Sequence, residues 1–100
     1  MELEEFLEGI NKGEVIKANS PLHLKMCSLS QDALKLTSEL NGSYHEPEEI
    51  REIMTELTGK TIDETFSLFP PFYTDCGKNL RIGKNVFINS GCKFQDQGGI

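Results

Sequence analysis

Apolar residues in the first sixty positions recur every three or four residues, which is the period of an amphipathic helix. Ser20-Pro21 and Pro47 favour the starts of a second and a third helix. Gly13, Asn41-Gly42 and Gly59 stand where the three helices end. The sequence therefore predicts three helices packed by their apolar faces. The positions that define them are Leu3, Phe6, Leu7 and Ile10, then Leu22, Met26, Leu29, Ala33, Leu36 and Leu40, then Ile50, Ile53, Met54 and Leu57.

From Cys76 onwards the apolar residues follow a period of six. The blocks CGKNLR and IGKNVF are near copies of each other, and INSGCK and FQDQGG continue the phase. This period fits neither a helix nor a meander of hairpins, and it is typical of a parallel β-helix. Two irregular hairpins with chance spacing are the alternative. One apolar series comprises Cys76, Ile82, Ile88, Phe94 and Ile100, and the other comprises Leu80, Val86, Cys92 and Gly98.

The positions between the two series predict tight corners, because asparagine and glycine tolerate a left-handed backbone. If three units make one triangular coil, residues eighteen apart stack at roughly the 4.8 Å spacing of paired strands. We then expect Phe94 to lie over Cys76 and Gly98 over Leu80, which matches a bulky side chain to a smaller one. The predicted corner positions are Asn79, Asn85, Gly91 and Gln97.

The predicted fold class is mixed α and β, with a helical N-terminal cap over residues 1–60 and the start of a β-helix over residues 61–100. The Pro70-Pro71 pair excludes a helix beyond Phe69. A solenoid needs several stacked units to bury its core, and the repeat supplies little more than one coil. We therefore expect a truncated β-helix, the first part of a longer protein.

Composition and charge exclude several classes. The net charge is −6 and the ten basic residues are scattered, which argues against a nucleic-acid partner. No apolar run approaches the ~18 residues of a membrane span, and the acidic start MELEEFLEG is unlike a signal peptide. The three cysteines, Cys27, Cys76 and Cys92, show no CxxC spacing, so a reducing cytoplasmic location without zinc or disulfides is expected.

The run PPFYTDCGKNLRIGKNVFINSGCKFQD resembles the hexapeptide-repeat acetyltransferases, specifically the maltose, galactoside and nodulation sugar O-acetyltransferase group. The helical part agrees, since GEVI from Gly13, Asn41-Gly42-Ser43, Arg51 and Gly59 follow the order of that group's N-terminal cap. The resemblance implies a left-handed parallel β-helix and a homotrimer with active sites between subunits. It also implies acetyl-CoA as the donor, a sugar hydroxyl as the acceptor, and no metal.

In that family a histidine acts as the general base, and the activated sugar oxygen attacks the thioester carbonyl. The resemblance places this histidine after Ile100, so no catalytic residue is expected in this chain. We expect the 100-residue chain alone to be inactive. Cofactor-binding residues cannot be assigned from the sequence.

The resemblance carries three substrate-binding positions over to this chain: Asp75 in TDCG, Asn89 in FIN and Asp96 in FQDQ. An amide can hold a sugar hydroxyl or donate to an oxyanion, and a carboxylate accepts sugar hydroxyls. Gln97 is an alternative counterpart to Asp96. Each position also has a structural interpretation, because Asn89 could satisfy a corner and the two aspartates could form turns. Phe87, where relatives have tyrosine, leaves the acceptor sugar open.

Two other functions compete with the acetyltransferase. A metal-dependent lyase of the carbonic anhydrase type needs clustered histidines, but His23 and His45 are far apart in the helical part and lack ligand spacing. A truncated, catalytically dead relative would only oligomerise or bind. The residues encoded after Ile100 would separate this last function from an enzyme.

Overall fold

The computed structural model describes all 100 residues and confirms the three predicted helices. At the start of the second helix, Ser20 Oγ accepts a hydrogen bond of 3.2 Å from the His23 N–H. At the end of the third helix, Gly59 adopts the left-handed conformation with φ 69°. None of the helices is both long enough and apolar enough to cross a membrane. The helices are α1 (Leu3–Asn11), α2 (Pro21–Gly42) and α3 (Pro47–Thr58).

Four short strands follow the helices and form two parallel pairs. They are β1 (Ser67–Leu68), β2 (Phe72–Thr74), β3 (Phe87–Ile88) and β4 (Cys92–Phe94). Strand β1 pairs with β3, and β2 pairs with β4. Hairpins would give antiparallel pairs, so the hairpin alternative is wrong. The structure thus combines helices with stacked parallel strands, and the left-handed β-helix stays a prediction.

The vertical register differs from the predicted one. Thr74 pairs with Phe94, twenty residues later, so the predicted stacking of Phe94 over Cys76 at eighteen residues is wrong. The corner after β2 explains the difference, because it contains an additional turn. This turn is closed by a hydrogen bond of 3.2 Å from the Leu80 N–H to the Gly77 carbonyl. The circuit of the chain is therefore longer than three hexapeptides.

Because of this additional turn, the left-handed residue of the corner after β2 is not the predicted one. Asn85 (φ 58°) and Gly91 (φ 84°) are left-handed as predicted. In the longer corner the left-handed residue is Gly77 (φ 81°) instead of Asn79, and in the next layer it is Gly99 (φ 95°). A strict six-residue period therefore predicts the wrong left-handed residue wherever a corner contains additional residues.

Helices α2 and α3 pack against the strands and form the main core with them. The Asn41 side chain joins the two parts, because its Nδ2 donates to the Phe72 carbonyl and its Oδ1 accepts from the Phe72 N–H, both at 2.9 Å. A smaller cluster joins α1, α2 and Cys76. The helices therefore cover the inner side of the strands. The main core consists of Ala33, Leu40, Ile50, Ile53, Met54, Leu57, Phe66, Leu68, Phe72, Leu80 and Ile88.

Candidate functional site

Asp96, one of the three predicted substrate-binding residues, has no exposed surface. Its Oδ1 accepts hydrogen bonds from Thr74 Oγ1 at 2.7 Å and from the Cys76 and Gly77 N–H groups, each at 3.0 Å. Its Oδ2 accepts from the Asn79 N–H at 3.1 Å. The carboxylate thus accepts hydrogen bonds from the backbone N–H groups of the longer corner after β2, which lies in the neighbouring layer of strands.

This arrangement favours the turn-forming interpretation of Asp96. A buried carboxylate is tolerated only when donors compensate for the water it has lost, and here four donors do so. Contact between Asp96 and a substrate stays a prediction. The adjacent Gln97 is half-buried, so it is the more accessible of the two residues at this corner.

Asp75 lies at the end of β2, in the corner that Asp96 supports. Its N–H donates to the Phe94 carbonyl at 3.2 Å, which fixes the backbone against the neighbouring strand. Its half-buried side chain makes no hydrogen bond within the chain. The Asp75 carboxylate can therefore accept hydrogen bonds from a ligand, and its role as a substrate-binding residue stays a prediction.

Asn89 is exposed and follows β3. Its Oδ1 accepts from the Ser90 N–H at 2.8 Å, whereas its Nδ2 has no partner in the chain and remains a free donor. Asn89 lies before β4 and Asp96 after it, so the strand separates the two residues along the chain. Within one chain the structure brings Asp75 and Asp96 to one corner and places Asn89 at another.

Two aromatic side chains, Phe69 and Phe87, lie near Asn89 in the register of β1 and β3. The Phe69 N–H donates to the Ile88 carbonyl at 3.0 Å, which extends the parallel ladder and sets Phe69 level with Asn89. The Phe69 and Phe87 rings meet edge to face, with centroids 5.0 Å apart. Both rings are more than half exposed. The two rings therefore form an exposed aromatic pair, and the register places Asn89 next to Phe69 along the ladder.

An open cleft of about 340 Å³ lies beside this face, between β1 and the turn that connects α2 to α3. Its size is at the small end of the range for sites that bind small molecules. The lining is largely apolar, with hydroxyl groups and one imidazole at the edges. The lining residues are Ser43, Tyr44, His45, Pro47, Ile50, Phe66, Ser67, Leu68, Phe69 and Pro70.

His45 lines the cleft and is held to the end of α2 by a hydrogen bond. Its Nε2 lies 2.8 Å from the Glu39 carbonyl oxygen, and because a carbonyl oxygen only accepts, Nε2 carries the hydrogen. In the neutral ring, Nδ1 is then the acceptor. The geometry of α2 therefore sets the tautomer of this histidine. The sequence gives no signal for this role, since His45 and the residues of β1 meet only in the folded chain.

Two lysines without any distinctive sequence motif, Lys60 and Lys78, bind carbonyl groups at the end of α3 and in the following corner. Lys78 Nζ donates to the Glu56 and Leu57 carbonyls at 2.6 and 2.9 Å, and Lys60 Nζ donates to the Lys78 carbonyl at 2.6 Å. Cations at a helix C-terminus also interact favourably with the helix dipole. Burial lowers the pKa of Lys60, and the nearby Arg81 lowers it further. These lysines hold α3 against the longer corner.

The remaining candidate chemistry is sparse. Burial raises the pKa of the Cys76 thiol above its ordinary value, which keeps it protonated and unreactive. No group of three or more histidine, cysteine, aspartate and glutamate side chains could hold a metal ion. The site thus offers binding groups, namely rings, an amide, hydroxyls and a carboxylate.

Comparison with known proteins relates the chain to bacterial and yeast sequences that share one kind of name, "Putative acetyltransferase". A relative from Staphylococcus haemolyticus is 54% identical over 44 residues, which is 44% of this chain. One from Staphylococcus aureus is 44% identical over 50 residues, half of this chain. One from Saccharomyces cerevisiae is 31% identical over 98 residues and covers 90% of this chain. No protein-family model matches the chain.

The chain spans less than half the length of these relatives. The matched segments cover 22% of the S. haemolyticus protein, 25% of the S. aureus protein and 45% of the yeast protein. The relationship therefore concerns acetyltransferases in general. The acceptor and the assembly of the whole protein are matters for proposal.

Proposed function

We propose that this chain is part of an acetyl-CoA-dependent O-acetyltransferase that acts on a sugar hydroxyl. The observation that carries the proposal is the 31% identity with the yeast relative over 90% of the chain. That match spans the helices as well as the strands, so it does not rest on the six-residue repeat alone. The motif PPFYTDCGKNLRIGKNVFIN supports the sugar as acceptor, through its resemblance to maltose and galactoside acetyltransferases.

The proposed reaction is acyl transfer through a tetrahedral intermediate. The free Nδ2 of Asn89 and the Asp75 carboxylate hold hydroxyl groups of the sugar. A base from a later part of the polypeptide, expected to be a histidine, removes the proton of the reacting hydroxyl. The oxygen attacks the thioester carbonyl carbon, and collapse of the intermediate breaks the carbon–sulfur bond. The base then returns its proton to the sulfur, and CoA leaves as the thiol. The products are an acetylated sugar and CoA.

The proposed assembly is a left-handed parallel β-helix that forms a homotrimer. The parallel pairs β1–β3 and β2–β4 support stacking of further layers on β3 and β4. A site between subunits would also account for the separation of Asn89 from Asp75 within one chain, because a neighbouring subunit could complete each half.

Release of CoA thiol from acetyl-CoA, measured with a panel of sugars, tests the proposed function. We expect sugar-dependent release from the polypeptide that continues beyond Ile100, and none from residues 1–100 alone. Release by the 100-residue chain would contradict the placement of the base in a later segment. No release by the longer polypeptide with any sugar would favour the catalytically dead relative that only oligomerises or binds.

A further inference from the structure

The three cysteines of the chain differ in what surrounds their sulfur atoms. Cys76 is buried, and burial raises the pKa of its thiol, which keeps it protonated. Cys92 is half-buried, and its sulfur makes no hydrogen bond within the chain. Cys27 is exposed, and its Sγ lies 3.6 Å from His23 Nε2. Cys27 therefore combines an accessible thiol with an imidazole partner, which neither of the other two cysteines does.

The local structure of α2 brings this thiol and this imidazole together. His23 and Cys27 are four residues apart, a spacing that places side chains on the same face of a helix. The first turn, which carries His23, is fixed because Ser20 Oγ accepts the His23 N–H at 3.2 Å and Pro21 begins the helix. The pair lies near the start of α2, whereas the cleft beside β1 adjoins the turn after the end of α2. The pair is therefore separate from the candidate site.

The backbone before α2 determines which nitrogen of His23 carries the hydrogen. Asn19, which is left-handed at φ 62°, donates its N–H to His23 Nδ1 at 3.1 Å. A ring nitrogen that accepts a hydrogen bond carries no hydrogen, so in the neutral ring the hydrogen is on Nε2. Nε2 is the nitrogen that faces Cys27 Sγ. His23 therefore donates a hydrogen bond to the sulfur.

A donor aimed at the sulfur favours the nucleophilic form of Cys27. The thiolate is the reactive form of cysteine, and a hydrogen bond from an N–H group stabilises this anion. His23 Nε2 acts neither as a base nor as a metal ligand in this arrangement, because both tasks require a free lone pair on that nitrogen. The arrangement thus suits a reaction at sulfur in which the thiol proton leaves to water and His23 remains a donor.

We propose that Cys27 is a site of reversible thiolation by a low-molecular-weight disulfide, with His23 as the hydrogen-bond donor to the reacting sulfur. The Cys27 thiolate attacks one sulfur of the disulfide and forms a mixed disulfide with it, while the original S–S bond breaks. The other half leaves as a thiolate and takes up a proton from water, which replaces the proton that Cys27 released. Cys27 is oxidised and the departing half is reduced. The inference does not depend on the proposed acetyl transfer.

The test is incubation of the 100-residue chain with glutathione disulfide at neutral pH, followed by mass spectrometry of tryptic peptides after the remaining thiols have been blocked. The three cysteines fall in separate peptides, because lysines lie between them. We expect Cys27 to form the mixed disulfide at least about tenfold faster than Cys92, and Cys76 to stay unmodified. Dithiothreitol should remove the adduct. Equal rates at Cys27 and Cys92, or an adduct that dithiothreitol leaves in place, would overturn the inference.

Variants of His23 separate the donor from mere exposure of the thiol. A stabilised thiolate is more abundant but less nucleophilic, so His23→Ala should slow thiolation of Cys27 by about threefold. His23→Gln retains an N–H donor near the end of its side chain and should restore most of the rate. The rate at Cys92 is the internal control and should be the same in all three chains. An unchanged rate at Cys27 in His23→Ala, or no recovery in His23→Gln, would contradict the donor role of His23.

The buried thiol of Cys76 reports whether each variant is folded, because it becomes accessible only when the chain opens. Alanine favours a helix, and His23→Ala keeps the backbone N–H that Ser20 caps, so we expect the variant to fold. The comparison of Cys27 with Cys92 in the unmodified chain needs no variant. It therefore decides on the thiolation site even if a substitution at His23 disturbs α2.

Discussion

Replacement of Asp96 by asparagine tests how the longer corner is held. The side chain has no exposed surface and accepts four hydrogen bonds, three of them from backbone N–H groups. Asparagine has nearly the same shape but offers only one oxygen. Wherever its NH₂ group faces a backbone donor, two donors oppose each other and both remain unpaired. The remaining hydrogen bonds also lose the strengthening that a charged acceptor gives.

The expected loss of stability follows from these contacts. One buried donor left without a partner costs about 1–3 kcal/mol, and each remaining bond weakens when its acceptor becomes neutral. The neutral side chain is easier to bury, which offsets part of this loss. We expect Asp96→Asn to lower the free energy of unfolding by about 3 kcal/mol. For a domain of this size the melting temperature would fall by roughly 12–24 °C.

Urea unfolding of the 100-residue chain, followed by circular dichroism, measures this change. Asp75→Asn is the matched control, because it makes the same chemical change in the same corner on a side chain without hydrogen bonds, and it should change stability by less than about 0.5 kcal/mol. If Asp96→Asn lowers the free energy of unfolding by less than about 1 kcal/mol, the hydrogen bonds of this carboxylate do not stabilise the corner.

Three further predictions concern other parts of the fold. In Gly77→Ala, a left-handed residue at φ 81° would carry a Cβ only 2.7 Å from atoms of Leu57 in α3. This variant should lower the free energy of unfolding in urea by at least about 2 kcal/mol. The control Gly83→Ala has open space around the new Cβ and should lower it by less than about 1 kcal/mol. Asn41→Ala leaves the N–H and carbonyl of Phe72 unpaired and should cost about 2–4 kcal/mol in the same assay; a loss under about 1 kcal/mol would show that water replaces the side chain. Because the folded chain raises the pKa of the Cys76 thiol, its contribution to stability is present below the ordinary thiol pKa of about 8.5 and is lost as the pH rises above it. The free energy of unfolding should therefore fall more between about pH 8 and pH 10 in the unmodified chain than in Cys76→Ala, and equal slopes would contradict the shift.

The helices were predictable from the sequence because their signals are local. The spacing of apolar residues, the Ser20-Pro21 start and the Gly59 end lie within a few residues of the structure they determine. The inward-facing phase of the repeat was also predictable in part, since Cys76, Leu80 and Ile88 are buried.

The register was not predictable from the same pattern. It depends on the length of one corner, and that corner is held by Asp96, a residue some twenty positions further along the chain. Asn41 was missed for a similar reason. Beside Gly42 it indicates a helix end, while its hydrogen-bond partner Phe72 lies thirty-one residues away.

In the candidate site, too, local sequence motifs indicated some residues, while features that depend on distant segments could not be predicted. Sequence motifs singled out Asn89, and the structure shows its amide exposed. They could not indicate that Asp96 is buried, nor that the turn at Ser43–Pro47 meets β1 to form a cleft. Both facts depend on packing between segments that are distant in sequence.

The proposed reaction transfers an acetyl group from acetyl-CoA to a sugar hydroxyl, with Asn89 holding the acceptor. The most direct measurement is to supply acetyl-CoA labelled in the acetyl group to a polypeptide that contains residues 1–100 and has the full length of the relatives, and to identify labelled products by mass spectrometry. We expect a labelled sugar ester, and we expect the KM for the sugar to rise when Asn89 is replaced by alanine. Labelled acetate without any sugar ester, or an unchanged KM in Asn89→Ala, would contradict the proposed reaction.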